Sequence, residues 1–333
     1  MKTLKNIRWS QYINYAVIGI LTIVFSAITL AGGRLDGSVL LLLEKIAISI
    51  ILAVSLSVVV GFLGELSLGH AGFMCVGAYL GGKLSVMLEG TLGNTVPSLI
   101  ISLLAGGLVA AIFGVIIGIP ALRLRGDYLA IVTLAFGEIV RSVFLNSSDE
   151  SFGGTLGLET PRFDRKYLFI FAFLMVLLTL FVVQNFIKSK HGRAVTAIRD
   201  NEIAARATGI NVTKYKLLAF VISAFFAGIA GVLFSHNMNS FSASGFDYNT
   251  SILILVYVVL GGIGSIRGSV IAAILLYALP ELLREVGEYR MLFYAILLIV
   301  MMIVNNNEKI NDMKKSFMMK VKKNKTVSEG GKN

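Results

Sequence analysis

Glu65, Ser67 and His70 lie close together in GFLGELSLGHAGFMCVGAY (61–79), and Glu138 and Arg141 lie three apart in LAFGEIVRSVF (134–144). A carboxylate, a hydroxyl and an imidazole at that spacing could relay protons or hold a polar solute. A Glu and an Arg at i, i+3 share one helix face and can close an ion pair. Both sets stand in apolar surroundings, where ionisable groups are costly and mark functional sites by default. Two readings are open. Glu65, His70 and Glu138 form the relay of a proton-driven transporter, or Glu65 and His70 meet headgroups or a neighbouring loop at a membrane edge while Glu138 and Arg141 form a structural pair. The sequence offers no nucleophile–base pair and no metal-ligand cluster. Catalytic and metal-binding residues are therefore not assigned, and an enzyme is not expected.

GAYLGGKL (77–84) imitates a phosphate-binding loop, but Leu84 replaces the Ser or Thr that would hold magnesium, and the stretch is apolar and helical. Helix packing through Gly77 and Gly81, spaced as G-x-x-x-G, is the better account, and GVIIG (114–118) repeats it. ATP must then act on another chain.

The elements that would position these residues are membrane spans. The chain of 333 residues is 56% hydrophobic and only 15% charged, against about 25% charged in a typical soluble domain. Runs such as 15–31 and 167–187 approach the roughly 20 apolar residues that cross a bilayer. They do not alternate as barrel strands do. The expected fold is an all-α polytopic membrane protein, with apolar segments near 12–31, 45–63, 68–88, 97–119, 128–146, 167–187, 217–236, 250–263, 269–283 and 291–305. Segments 250–263 and 269–283 are short and flank GGIGSIR, so they read either as spans or as a re-entrant pair. The count is therefore eight to ten. One permease domain, 1–308, would be followed by a basic tail, 309–333.

The net charge of +11 would suit nucleic acid in a soluble protein, but basic residues on the cytoplasmic side explain it here, and no nucleic-acid partner is expected. With ten spans, 21 Lys and Arg fall on one side: Lys2, Lys5, Arg8, Arg123, Arg125, the seven from Lys188 to Lys216, Arg267 and the eight from Lys309 to Lys332. Six fall on the other, and Lys45, Lys83 and Arg141 lie in or near spans. Both termini are thus placed in the cytoplasm, as they would be with eight spans. The apolar run after MKTLKNIRWS is too long for a signal peptide and reads as a retained span. The single cysteine, Cys75, excludes an internal disulfide.

That orientation puts 188–216 in the cytoplasm. Within it, GRAVTAIRDNEIAARATGI (192–210) is polar and helical, carrying Arg193, Arg199 and Arg206. Asp200 or Asn201 could cap a helix that runs to Thr208 and closes at Gly209. Ala204, Ala205 and Ala207 leave a slim surface for a protein partner. A helix lying on lipid would show a wide bulky apolar face, whereas only Val195, Ile198 and Ile203 could supply one.

The stretch 192–234 resembles the cytoplasmic loop and following helix of branched-chain amino-acid ABC transporter permeases. GELSLGHAGFMCVGAY (64–79), ALRLRGDYLAIVTLAFGEIVR (121–141) and VLGGIGSIRGSVIAA (259–273) resemble three further signatures of the family, in its order. The match is better to the M type (LivM) than to the H type (LivH), chiefly through 121–141. Glu65 departs from the Gln expected after the glycine. The resemblance implies a multi-pass subunit of the bacterial inner membrane with a homologous H-type permease, two cytosolic ATPases that bind ATP and Mg, and an extracytoplasmic solute-binding protein. This chain would bind no cofactor, and membrane lipid would surround it. The cargo implied is leucine, isoleucine or valine, with urea, sugars or nucleosides as alternatives. EIAARATGI (202–210) is similar to the segment of ABC importers that sits in a groove of the ATPase, which assigns Glu202, Ala204, Ala205 and Gly209, with Arg193, Arg199, Asp200, Asn201 and Arg206 beside them. Gly64, Glu65, Ser67, His70, Glu138, Arg141, Gly261, Gly262 and Ser265 are the candidates for the translocation path, since glycine-interrupted segments in two halves of a transporter point to its site.

Overall fold

Apolar segments in lipid must satisfy every N–H and C=O internally, and a helix does so within one segment. The computed structural model of the chain describes residues 37–283 except Arg125 and Arg162, with isolated positions between 287 and 299. The expected span at 12–31, most of 291–305 and the basic tail lie outside the described residues. Close contacts group residues 1–278 and 279–333 as two units. The second holds the end of the last long helix among the described residues, with Pro280 and Leu282. The first holds the rest of that helix and every element before it.

The long helices are α1 (Gly37–Ser57), continued by a π-helical turn Val58–Leu63, then α2 (His70–Leu92), α3 (Val96–Ala121), α4 (Asp127–Leu145), α6 (Arg165–Lys188), α9 (Val212–Met238), α10 (Tyr248–Gly261) and α11 (Ile266–Leu282). The short helices α5 (Asp149–Phe152), α7 (Lys190–Asp200) and α8 (Glu202–Ala207) lie between them. Seven helical stretches among the described residues are long and apolar enough to cross a membrane: Gly37–Leu63, His70–Leu92, Val96–Ala121, Asp127–Leu145, Tyr167–Lys188, Val212–Met238 and Ala243–Gly261. The fold is that of an all-α polytopic membrane protein.

The first of these already includes Gly37, ahead of the apolar segment expected from 45. Glu44 and Lys45 make the sequence look like a boundary, yet Glu44 is buried within α1. It accepts a hydrogen bond from Asn237 Nδ2 of α9 at 2.6 Å, and buried polar groups are tolerable only when so bonded. Asn237→Leu should therefore cost about 1–3 kcal/mol, seen as a lower unfolding midpoint in detergent.

Two structural devices hold the bundle. The first is a glycine seam where α2, α3 and α9 meet. A Cβ on Gly77 would strike the backbone of Gly228, one on Gly231 would strike the carbonyl of Met74, and one on Gly228 would lie 2.5 Å from Ala110 Cβ. Small residues let helix backbones approach this closely where lipid supplies no hydrophobic drive. Gly81 and Gly106 both face Val232, while Gly114 faces Ala224 and Gly118 faces Leu217 and Phe220. The seam thus uses both G-x-x-x-G pairs.

The second device closes one end of the bundle. A two-residue antiparallel ladder pairs Leu158 with Phe241 and Glu159 with Ser240. Thr160 extends it, its N–H donating to Asn239 O at 2.7 Å and its hydroxyl to Ser235 O at 2.8 Å. Aromatic rings pack against this cap: Tyr79 stacks on Phe144 with centroids 4.2 Å apart and meets Phe241 edge-on.

Candidate functional site

The opposite end carries the loop between α6 and α9, which is two helices and not one. Ser189 Oγ accepts from the N–H groups of His191 and Gly192, which starts α7. Asn201 then adopts extended backbone, φ −160° and ψ 104°, and ends it. The same Asn201 caps α8, its Oδ1 accepting from Ala204 N at 3.0 Å. The break arises because a short amide side chain competes for the backbone donors that would continue a helix. The chain leaves α8 through Gly209 at φ +84°, a left-handed conformation that suits glycine.

This pair is seated by its apolar side: Val195, Ile198 and Ala205 are buried within the chain. On α8 and its exit, what remains outside is Ile203, 78% exposed, with Ala204, Arg206, Ala207, Thr208 and Gly209. Of the alanines expected to form a slim surface, Ala205 instead supports α8 from beneath. Arg193 donates to Lys188 O at the root of the loop. Arg199 pairs with Asp200 at 2.9 Å.

Arg199 also reaches into the bundle. α1 ends in the π-helical turn, and Gly64 at φ +79° leads into a non-helical stretch, 64–69, before α2 starts at His70. Such backbone at a span's end leaves carbonyls without helical partners. Arg199 Nη1 donates to one of them, Gly61 O, at 3.0 Å. A Cβ on Gly64 would lie 2.6 Å from Arg199 Cγ, so a side chain there would displace the arginine. The second glycine-rich stretch arrives at the same point: a Cβ on Gly61 would lie 2.8 Å from Gly264 N, in the turn between α10 and α11. In that turn Gly261 packs on Gly268, Gly262 N donates to Val259 O, and Ser265 Oγ accepts from Gly268 N at 3.2 Å, starting α11. The two glycine-interrupted stretches are thus two helix breaks in contact, both next to Arg199.

Glu65 is the other tie. Its carboxylate accepts from Lys216 Nζ, at the start of α9, and Lys216 also meets Glu202 Oε2 at 3.2 Å. Glu202 in turn pairs with Arg206 at 2.6 Å. The Lys216 side chain is only 4% exposed.

The remaining path candidates have other partners. Ser67 and His70 are buried, and His70 Nε2 lies 2.9 Å from Ser55 Oγ of α1. Amides of the break and of the α2 start are satisfied from other helices, Leu68 N by Thr133 and Ala71 N by Ser251. Glu138 and Arg141 are paired at 2.8 Å, and Glu138 Oε1 also accepts from Tyr248 N at the start of α10. The nine path candidates therefore fall into a group at the loop end (Gly64, Glu65, Gly261, Gly262, Ser265), a buried pair (Ser67, His70) and the half-buried Glu138–Arg141 pair. A cavity of about 100 Å³ lies among α1, α2, α9, α10 and α11, walled chiefly by Leu52, Met74, Leu253, Ile254 and Tyr257 with Lys45 beside them. Lys216 and the Glu44–Asn237 contact were not among the expected site residues.

The structure is thus a polytopic helical bundle in which one polar loop is bonded to two helix breaks. Residues 38–304 match the family described as "Branched-chain amino acid transport system / permease component", and the chain belongs to that family. It is 40% identical over 276 residues to the high-affinity branched-chain amino acid transport system permease protein LivM of Salmonella typhimurium, covering 74% of this chain and 63% of that protein. The Escherichia coli K12 LivM is 39% identical over the same shares. The chain thus spans somewhat less than two thirds of the length of these relatives. The ribose import permease protein RbsC of Escherichia coli K12 is 26% identical over 282 residues, 77% of this chain and 81% of that protein. No solved structure matches.

Proposed function

We propose that this chain is a permease subunit of an ABC importer that carries leucine, isoleucine or valine across the inner membrane of a bacterium. The observation that carries the proposal is the α7–α8 pair, anchored to two helix breaks by Arg199 and Lys216 while Ile203 stands out, unused by the chain itself. Such a lone exposed apolar residue on a braced helix is the form of an anchor for a pocket in a partner. The partner is a cytosolic ATPase, two of which hold ATP and Mg and close on ATP. A homologous H-type permease completes the membrane unit, and an extracytoplasmic binding protein delivers cargo. The excess of basic residues in this loop supports placing it, with both termini, in the cytoplasm.

No covalent chemistry is required of this chain. It needs a different interaction free energy with its partners in outward-open and inward-open states. The apolar walls between α1 and α10 suit cargo with aliphatic side chains that must be released, not retained. A proton relay through Glu65, His70 and Glu138 is disfavoured because each is bonded to a different partner: Lys216, Ser55 and Arg141.

The test is uptake by vesicles holding the whole complex. Radiolabelled leucine should enter at least about tenfold faster with ATP and binding protein than without, a difference of about 1.4 kcal/mol in activation free energy. Uptake that persists without ATP and collapses with an uncoupler would contradict the proposal. Preference for ribose would keep the mechanism and change the cargo, an alternative motivated by the similarity to RbsC.

A further inference from the structure

Lys216 links the exposed loop to the membrane break, and nothing in the docking surface itself requires it. Four charged groups form one chain: Arg206, 58% exposed on α8, then Glu202 at the start of α8, then Lys216, then Glu65 in the non-helical stretch after α1. Exposure falls along it, from an arginine in solvent to a lysine that is almost fully covered. A buried ammonium group is tolerable only while its carboxylates stay with it. Glu202 and Glu65 lie 137 residues apart in sequence but share this one cation, so displacement of the first changes the field at the second.

We infer that Lys216 is the positioning residue through which movement of α8 is passed to the helix break at 64–69, so that this break follows the ATPases through an ionic joint. The inference rests on the ATPase-docking reading of the loop. Glu65 belongs to the break by its backbone, its N–H donating to Val59 O at 3.2 Å. It belongs to the loop by its side chain. When partner closure shifts α8, Glu202 moves, Lys216 rebalances between its two carboxylates, and Glu65 carries the change into the turn that ends α1. Arg199, bonded to the Gly61 carbonyl of the same break and in contact with Gly64, keeps the loop in register while this happens.

The experiment is a double-mutant cycle in the complete transporter in vesicles, reading leucine uptake and ATP hydrolysis together. Lys216→Met leaves two carboxylates facing each other and should lower uptake relative to hydrolysis by about tenfold. Glu65→Gln, which keeps a hydrogen-bonding group, should lower that ratio by about twofold. The double substitution should lower it no further than Lys216→Met alone, because both changes interrupt one link. Lys216→Arg, which retains the charge, should restore the ratio to within about twofold and guards against a folding artefact. Uptake and hydrolysis that fall in step, or losses that multiply in the double variant, would overturn the joint while leaving the docking proposal standing. Absence of ATP-dependent uptake in the unaltered complex would overturn both.

Discussion

Gly231→Val should remove most of the folded protein from the membrane, to below about a tenth of the unaltered level. The reason is the nature of the obstacle. A Cβ at residue 231 meets the carbonyl of Met74 and the amide nitrogen of Ala78, which are backbone and cannot swing aside. Overpacking a tight interface costs about 1–3 kcal/mol when side chains can adjust, and more when they cannot. Here α9 must separate from α2, and α9 is also the helix that Gly228 seats against α3. A cost near 3 kcal/mol shifts a folding equilibrium about 100-fold. Gly90→Ala is the contrast: nothing lies within 4 Å of a Cβ there, and α2 should gain the roughly 1 kcal/mol by which alanine exceeds glycine in a helix. Size-exclusion profiles and unfolding midpoints of the two variants in one detergent check the pair.

Ile203→Asp should leave the permease folded and abolish its use. The residue is 78% exposed, and its side chain adds little to the packing of the chain. An anchor residue lost from an interface typically costs 2 kcal/mol or more, or about 30-fold in affinity. Placing a carboxylate in an apolar pocket adds a desolvation cost. Tagged protein should then recover less than about a tenth of the ATPase recovered by the unaltered chain, and leucine uptake should fall with it. Leu156→Asp is the control, 80% exposed but in the loop that precedes the strand pair at the other end. ATPase recovery with it should be unchanged. Equal recovery with Ile203→Asp and Leu156→Asp would mean that α8 is not the docking surface.

Much of this architecture is readable from local patterns. Spans such as Val96–Ala121 follow from uninterrupted apolar length. Asn201 as a cap, Gly209 as a helix stop and Glu138 with Arg141 as a pair all depend on spacings of one to a few residues, where helix geometry decides who meets whom. The contacts that define the candidate site are of another kind. Glu65 finds Lys216 across 151 residues, and Glu44 finds Asn237 across 193. No periodicity encodes such pairings, because they depend on how the helices are ordered in the bundle. Lys216 is one of seven loop cations by composition; only folding sets it apart as buried. The same holds for Ala205, whose small size fits an external surface and a packed underside equally well. Likewise, a single helix and two helices broken at Asn201 carry nearly the same polar pattern.

For a separate ATPase to grip the α7–α8 loop as proposed, that loop must lie in the cytoplasm. Cys75 is fully buried, so Cys75→Ala gives a clean background in which Ile203→Cys can report the side on which α8 lies. A membrane-impermeant maleimide should leave residue 203 unlabelled in intact cells, label it in inside-out vesicles stripped of peripheral proteins, and label it far less once the ATPases are added back. Labelling in intact cells would place α8 outside and rule out that grip.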